Sequence, residues 1–120
     1  MTTILIIEDD AQIAKLYQEA LKAAGFAVVI APTGNQGLSD LTKIKPNLVI
    51  LDIMLAQGMN GFDILEKMKK NPSLKAIPVI VLTNLDSEQK VALEIGAAAY
   101  MVKSNTSLEE IVAKVKQLTS

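Results

Sequence analysis

Leu48-Val49-Ile50-Leu51, followed at once by Asp52, is the stretch that decides the fold. Four apolar residues without polar alternation describe a strand covered on both faces, the habit of parallel sheets. The same kind of run recurs at Ile4-Leu5-Ile6-Ile7, Ala27-Val28-Val29-Ile30, Val79-Ile80-Val81-Leu82 and Ala99-Tyr100-Met101-Val102. An amphipathic stretch of helix length follows each run. Ile13, Leu16, Ala20 and Ala24 form one stripe, followed by Leu38 and Leu41, Leu65 and Met68, Val91 and Ile95, and Ile111, Val115 and Leu118. Gly25 and Gly96 fall where a glycine would close the first and fourth helices, and Pro46 and Pro72 follow the second and third. Thr33/Gln36, Asp86/Gln89 and Ser107/Glu110 have capping-box spacing at helix starts.

Five strands alternating with five helices imply an α/β fold in three layers: a doubly wound parallel (βα)5 sheet with helices on both faces. The flavodoxin-like strand order 2-1-3-4-5 is the common five-stranded solution. Its functional crevice lies at the carboxyl ends of strands 1 and 3, where the winding reverses.

The 120 residues fit one domain, 1–120, with no room for a separate output domain. Twelve cationic residues, all Lys, against thirteen acids leave a net charge of −1 and no basic stripe, which argues against nucleic-acid binding. The absence of His and Cys removes imidazole bases, thiol nucleophiles, disulfides and the usual zinc ligands. Met1-Thr2-Thr3 offers no cationic start to a signal peptide, and the apolar runs fall far short of the ~20 residues that span a bilayer. A cytoplasmic protein that makes no membrane contact is expected.

At the predicted crevice, strand 1 runs into Glu8-Asp9-Asp10 and strand 3 into Asp52, on neighbouring strands roughly 5 Å apart. Asp10 is placed to cap the first helix, but one cap does not need three acids. Asp52, directly after an apolar strand, is costly to bury unless a cation or donors meet it. Thr83 and Lys103 close strands 4 and 5 on the same rim. Carboxylates that suit a hard, oxygen-loving cation, faced by a hydroxyl and an ammonium, describe a Mg2+-assisted phosphoryl site.

With these residues in place, the sequence resembles the receiver domain of two-component response regulators over essentially its whole length. The resemblance implies that Asp52 is the phosphoacceptor, Asp9 a direct Mg2+ ligand and Glu8 a second acid holding the metal through water. Met54 would contribute its backbone carbonyl. It further implies that Thr83 is the switch hydroxyl, Lys103 the cation that pairs with the phosphoryl group, and Tyr100 the aromatic whose rotamer follows activation. The phosphodonor would be a histidine kinase or phosphotransfer protein, and a downstream protein would read the face made by helix 4, strand 5 and helix 5.

Two segments depart from the family pattern. Ala56 stands where a Pro is usual, and Gly61 lies nine rather than eight residues past Asp52, so this loop reads as one residue longer. Ser104 replaces the Pro that follows the lysine, so the Lys103–Ser104 bond is expected to be trans with a shifted loop, or a cis bond held by the site. The alternative function is a receiver-like interaction module that works without phosphate. A flavin or nucleotide binder on this fold would need Gly and hydroxyls at the first turn, where Glu8-Asp9-Asp10 would repel it. A dehalogenase-like phosphatase would want an acid at position 54, which is Met.

Overall fold

The structure, a computed structural model, describes residues 1–56 and 58–120. Five strands, β1 (Thr3–Ile7), β2 (Ala27–Ala31), β3 (Leu48–Leu51), β4 (Val79–Thr83) and β5 (Ala99–Val102), form one sheet. Its order is β2-β1-β3-β4-β5 and every pairing is parallel, as the alternation predicts. The connecting helices are α1 (Ala11–Ala23), α2 (Gly34–Ile44), α3 (Gly61–Lys70), α4 (Gln89–Ile95) and α5 (Leu108–Thr119).

Because successive strand side chains point to opposite faces, the apolar runs divide into two cores. Leu5, Ile7, Val49, Leu51, Val79 and Val81 face Leu41, Leu65, Met68 and Ala92 of α2, α3 and α4. Ile4, Ile6, Leu48, Ile50, Ile80 and Leu82 face Ala14, Tyr17, Leu21, Ile111 and Val115 of α1 and α5. Removing so much side-chain area from water on both faces, at ~25 cal/mol per Å2, immobilises the central strands. β3 and β4 are buried throughout, whereas β2 and β5 are half-buried over most of their length, so two-sided burial stops at the sheet edges.

The helix boundaries follow local chemistry. Asp10 accepts hydrogen bonds from the N–H groups of Gln12 and Ile13 and caps α1, as expected. Thr33 caps α2 through the Gln36 N–H, and Ser107 and Glu110 form a reciprocal capping box at α5. Asp86/Gln89 does not cap: α4 starts at Gln89 after Glu88 and makes no side-chain cap bond, so that spacing is a coincidence of composition. Two stripes also need correction. The buried line on α1 is Ala14, Tyr17 and Leu21, with Leu16 exposed, because Tyr17 brings a larger apolar body to the sheet. On α4, Ala92 is buried and Val91 exposed.

Candidate phosphoacceptor site at the carboxyl rim of the sheet

Register brings the rim residues together. Ile7 pairs with Leu51 and Thr83 with Val102, so Glu8 stands beside Asp52 and Lys103 follows the partner of Thr83. The ladder continues past the strand ends, with Asp52 N–H donating to the Ile7 carbonyl and Glu8 N–H to the Ala31 carbonyl, each at 3.1 Å. These bonds fix the backbone from which the site side chains project.

Glu8 and Asp52 are only 3% and 4% exposed, and Thr83 is fully buried. Two buried carboxylates side by side require a counter-charge. Lys103 supplies it, donating to Asp52 Oδ2 at 2.6 Å and pairing with Glu8 Oε1. Backbone donors complete the two acids: Met54 N–H meets Asp52 Oδ1 at 2.9 Å and Asp10 N–H meets Glu8 Oε2 at 3.2 Å. Burial raises the Glu8 carboxyl above its ordinary range, more than Lys103 and the Asp10 N–H pull it down. For Lys103, burial works against the charge, but the bonds from Asp52 and Glu8 outweigh it and the ammonium titrates above its ordinary value.

Asp9 is exposed, and its Oδ2 accepts the Ala56 N–H at 2.9 Å. Glu8, Asp9 and Asp52 each offer a carboxylate oxygen within 4.8 Å of the others. Three hard oxygen donors converging at that spacing fit a small divalent cation of the Mg2+ type, which takes few carboxylates and fills its shell with water and phosphate oxygens. Met54 has an exposed side chain on the loop after β3.

Thr83 and Tyr100 meet at one residue. Thr83 Oγ1 accepts the Leu85 N–H at 3.4 Å, and the Tyr100 hydroxyl donates to the Leu85 carbonyl. The ring of Tyr100 packs half-buried against the core, and burial raises its hydroxyl pKa. Leu85 as the link between the two side chains was not legible in the sequence, since it acts through its backbone.

The departure at Ser104 is settled by the backbone. Lys103–Ser104 is trans, and a short 3-10 turn over Lys103–Asn105 follows, braced by Thr106 Oγ1 donating to the Val102 carbonyl at 2.6 Å. Lys103 still points at Asp52. Gly61 packs against the backbone of Asp52, where a Cβ would overlap the Asp52 carbonyl oxygen and the Ile53 Cα. The expected extra residue falls in a stretch that includes position 57, outside the described residues; beyond it Gly58 has a φ of 71°.

Fold and rim together define a flavodoxin-like α/β domain with an acidic crevice bridged by one lysine. Residues 4–116 match the response regulator receiver domain family, and the chain belongs to that family, whose members are phosphorylation-controlled switches in two-component signalling. It is 36% identical over 115 residues to the uncharacterized transcriptional regulatory protein YkoG of Bacillus subtilis (strain 168), covering 94% of this chain and 49% of that protein. To the sensory transduction protein RegX3 of Mycobacterium tuberculosis (strain ATCC 25618 / H37Rv) it is 33% identical over 118 residues, covering 97% and 50%. The chain thus spans about half the length of the curated relatives it matches. Among solved structures, the BeF3-activated N-terminal receiver domain of Klebsiella pneumoniae RstA superposes with a TM-score of 0.90 at 30% identity, covering 99% of this chain and 100% of that one. The receiver domain of Francisella response regulator 1452 gives 0.91 at 24% identity, covering 99% and 97%, a likeness of fold. Among the described residues, no helix is long and apolar enough to cross a membrane.

Proposed function

We propose that Asp52 accepts a phosphoryl group from a phosphohistidine on a kinase or phosphotransfer protein, or from a small acyl phosphate, and that the resulting acyl phosphate changes which partner the domain binds. The observation that carries this reading is Lys103 bridging Asp52 and Glu8 on a rim that also presents Asp9. A carboxylate oxygen of Asp52 attacks phosphorus, forming an O–P bond as the donor's N–P or O–P bond breaks and its electron pair leaves with the donor. Lys103 lies within reach of the charge that develops on the phosphoryl oxygens, and Thr83 is a hydroxyl donor at the same rim. A Mg2+ ion held by Asp9 and Asp52, by Glu8 through water and by the Met54 carbonyl would neutralise those oxygens and align them.

The switch follows from the Leu85 link. As Thr83 turns toward the phosphoryl group its hydroxyl leaves the Leu85 N–H, the turn carrying the Leu85 carbonyl shifts, and Tyr100 reorients with it. This alters the face made by α4, β5 and α5, a population shift read by a protein partner. In this reading residues 1–120 form one receiver domain of the cytoplasm that catalyses its own phosphorylation and dephosphorylation and turns over no separate substrate. YkoG is named as a transcriptional regulatory protein, and in this reading residues 1–120 make no nucleic-acid contact of their own.

Intact-mass spectrometry after incubation with acetyl phosphate tests the reading. One phosphoryl adduct that requires Mg2+ and disappears in Asp52→Asn is expected. An adduct that persists in Asp52→Asn places the acceptor elsewhere, and no adduct under any condition favours the phosphate-independent module.

A further inference from the structure

The three acids of the rim are not held alike. Glu8 and Asp52 share Lys103, and each adds a backbone donor from its own loop. Asp9 has neither the lysine nor a local donor. Its one hydrogen bond among the described residues comes from Ala56, 47 residues away on the loop between β3 and α3. Further along, Gly61 lies against the backbone of Asp52, and a Cβ on Gly34 at the start of α2 would overlap the Met59 carbonyl oxygen. A hollow of about 250 Å3 lined by Asp9, Pro32, Thr33, Leu55 and Ala56 opens beside the bond, and Asp9 itself is exposed.

We infer that the Ala56 backbone N–H is the positioning group of the cation site, holding Asp9 Oδ2 so that the carboxylate is already oriented toward Glu8 and Asp52 before a divalent ion arrives. An exposed carboxylate without this tether would sample several rotamers, and ordering it on binding would weaken affinity. Outer partners that orient metal ligands typically change affinity by 10–100-fold, and for a solvent-exposed ligand with a single tether the lower end applies. The inference rests on the reading of Glu8, Asp9 and Asp52 as a Mg2+ site, and it adds that the loop after β3, through a main-chain donor, sets how tightly that site binds.

Proline at position 56 removes the donor and changes no side chain in the cluster. Mg2+ is titrated calorimetrically into the wild type, Ala56→Pro, Ala56→Ser and Asp9→Asn. The expected result is an affinity about tenfold weaker in Ala56→Pro, restored to within about twofold by Ala56→Ser, which keeps the N–H. A folded Ala56→Pro that binds Mg2+ as tightly as the wild type overturns the inference while leaving the site intact. A wild type that binds no Mg2+, with Asp9→Asn indistinguishable from it, overturns the site reading itself. Should Ala56→Pro not fold, NMR of the wild type decides. A scalar coupling between the Ala56 nitrogen and the Asp9 carboxyl carbon supports the tether, and an Ala56 amide that exchanges with solvent at an unprotected rate refutes it.

Discussion

Replacing Lys103 with Met leaves two buried carboxylates, Glu8 and Asp52, without their shared cation. Removing one partner from a buried ion pair typically destabilises by about 3–5 kcal/mol. The loss here has a ceiling, because one acid can take up a proton instead of remaining charged. Asp52 keeps the Met54 N–H and Glu8 keeps the weaker Asp10 N–H, and burial already raises the Glu8 carboxyl, so Glu8 is the acid that neutralises. From its ordinary value of 4.5, protonation at pH 7 costs about 3.4 kcal/mol, at 1.36 kcal/mol per pH unit. At pH 5 the same step costs about 0.7 kcal/mol. Lys103→Met should therefore destabilise the fold by about 3 kcal/mol at pH 7 and by under about 1 kcal/mol at pH 5. Urea unfolding followed by circular dichroism at both pH values, without divalent cations, measures the difference. An equal loss at pH 5 and pH 7 would refute the argument, since it would mean that Lys103 acts through packing and not through charge.

Three further outcomes follow from the same geometry. The folded Lys103 titrates above its ordinary 10.5, so on the alkaline side of neutrality its contribution holds up to that pH and is lost as the pH rises through the higher folded value; the stability gap between wild type and Lys103→Met should narrow above pH 10.5 in urea titrations. Gly61→Ala drives a methyl group into the Asp52 backbone and should destabilise by about 2–3 kcal/mol in chemical denaturation, with any smaller loss showing that the loop yields. Ser107→Ala removes a capping box and should lower stability by about 1 kcal/mol, whereas Asp86→Ala, at a position that caps nothing, should stay within about 0.5 kcal/mol by the same assay.

Strand positions, order and rim were legible because a doubly buried parallel strand leaves an unbroken apolar run, and the residue after that run must lie on the rim. Asp52, Thr83 and Lys103 were found by that rule alone. Less was legible wherever tertiary context chose between near-equal options. Leu16 and Tyr17 are adjacent and either could face the sheet, and only the packing of α1 selects Tyr17. Asp86 has the spacing of a cap, yet the turn around Leu85 is held by Thr83 and Tyr100, and the helix begins later. The tether from Ala56 to Asp9 and the link through Leu85 were invisible because both use main-chain groups, which no side-chain pattern records.

The Lys103–Asp52 contact joins positions 51 residues apart, and its counterpart Glu8, just past β1, lies further still. Until β5 docks, Glu8 and Asp52 meet at the ends of β1 and β3 without the charge of Lys103 between them. Assembly of the first three strands thus creates an electrostatic defect that only the fifth repairs, and closing that long loop is slow relative to local helix formation. Asp52 thus gains its lysine only once the last strand has docked.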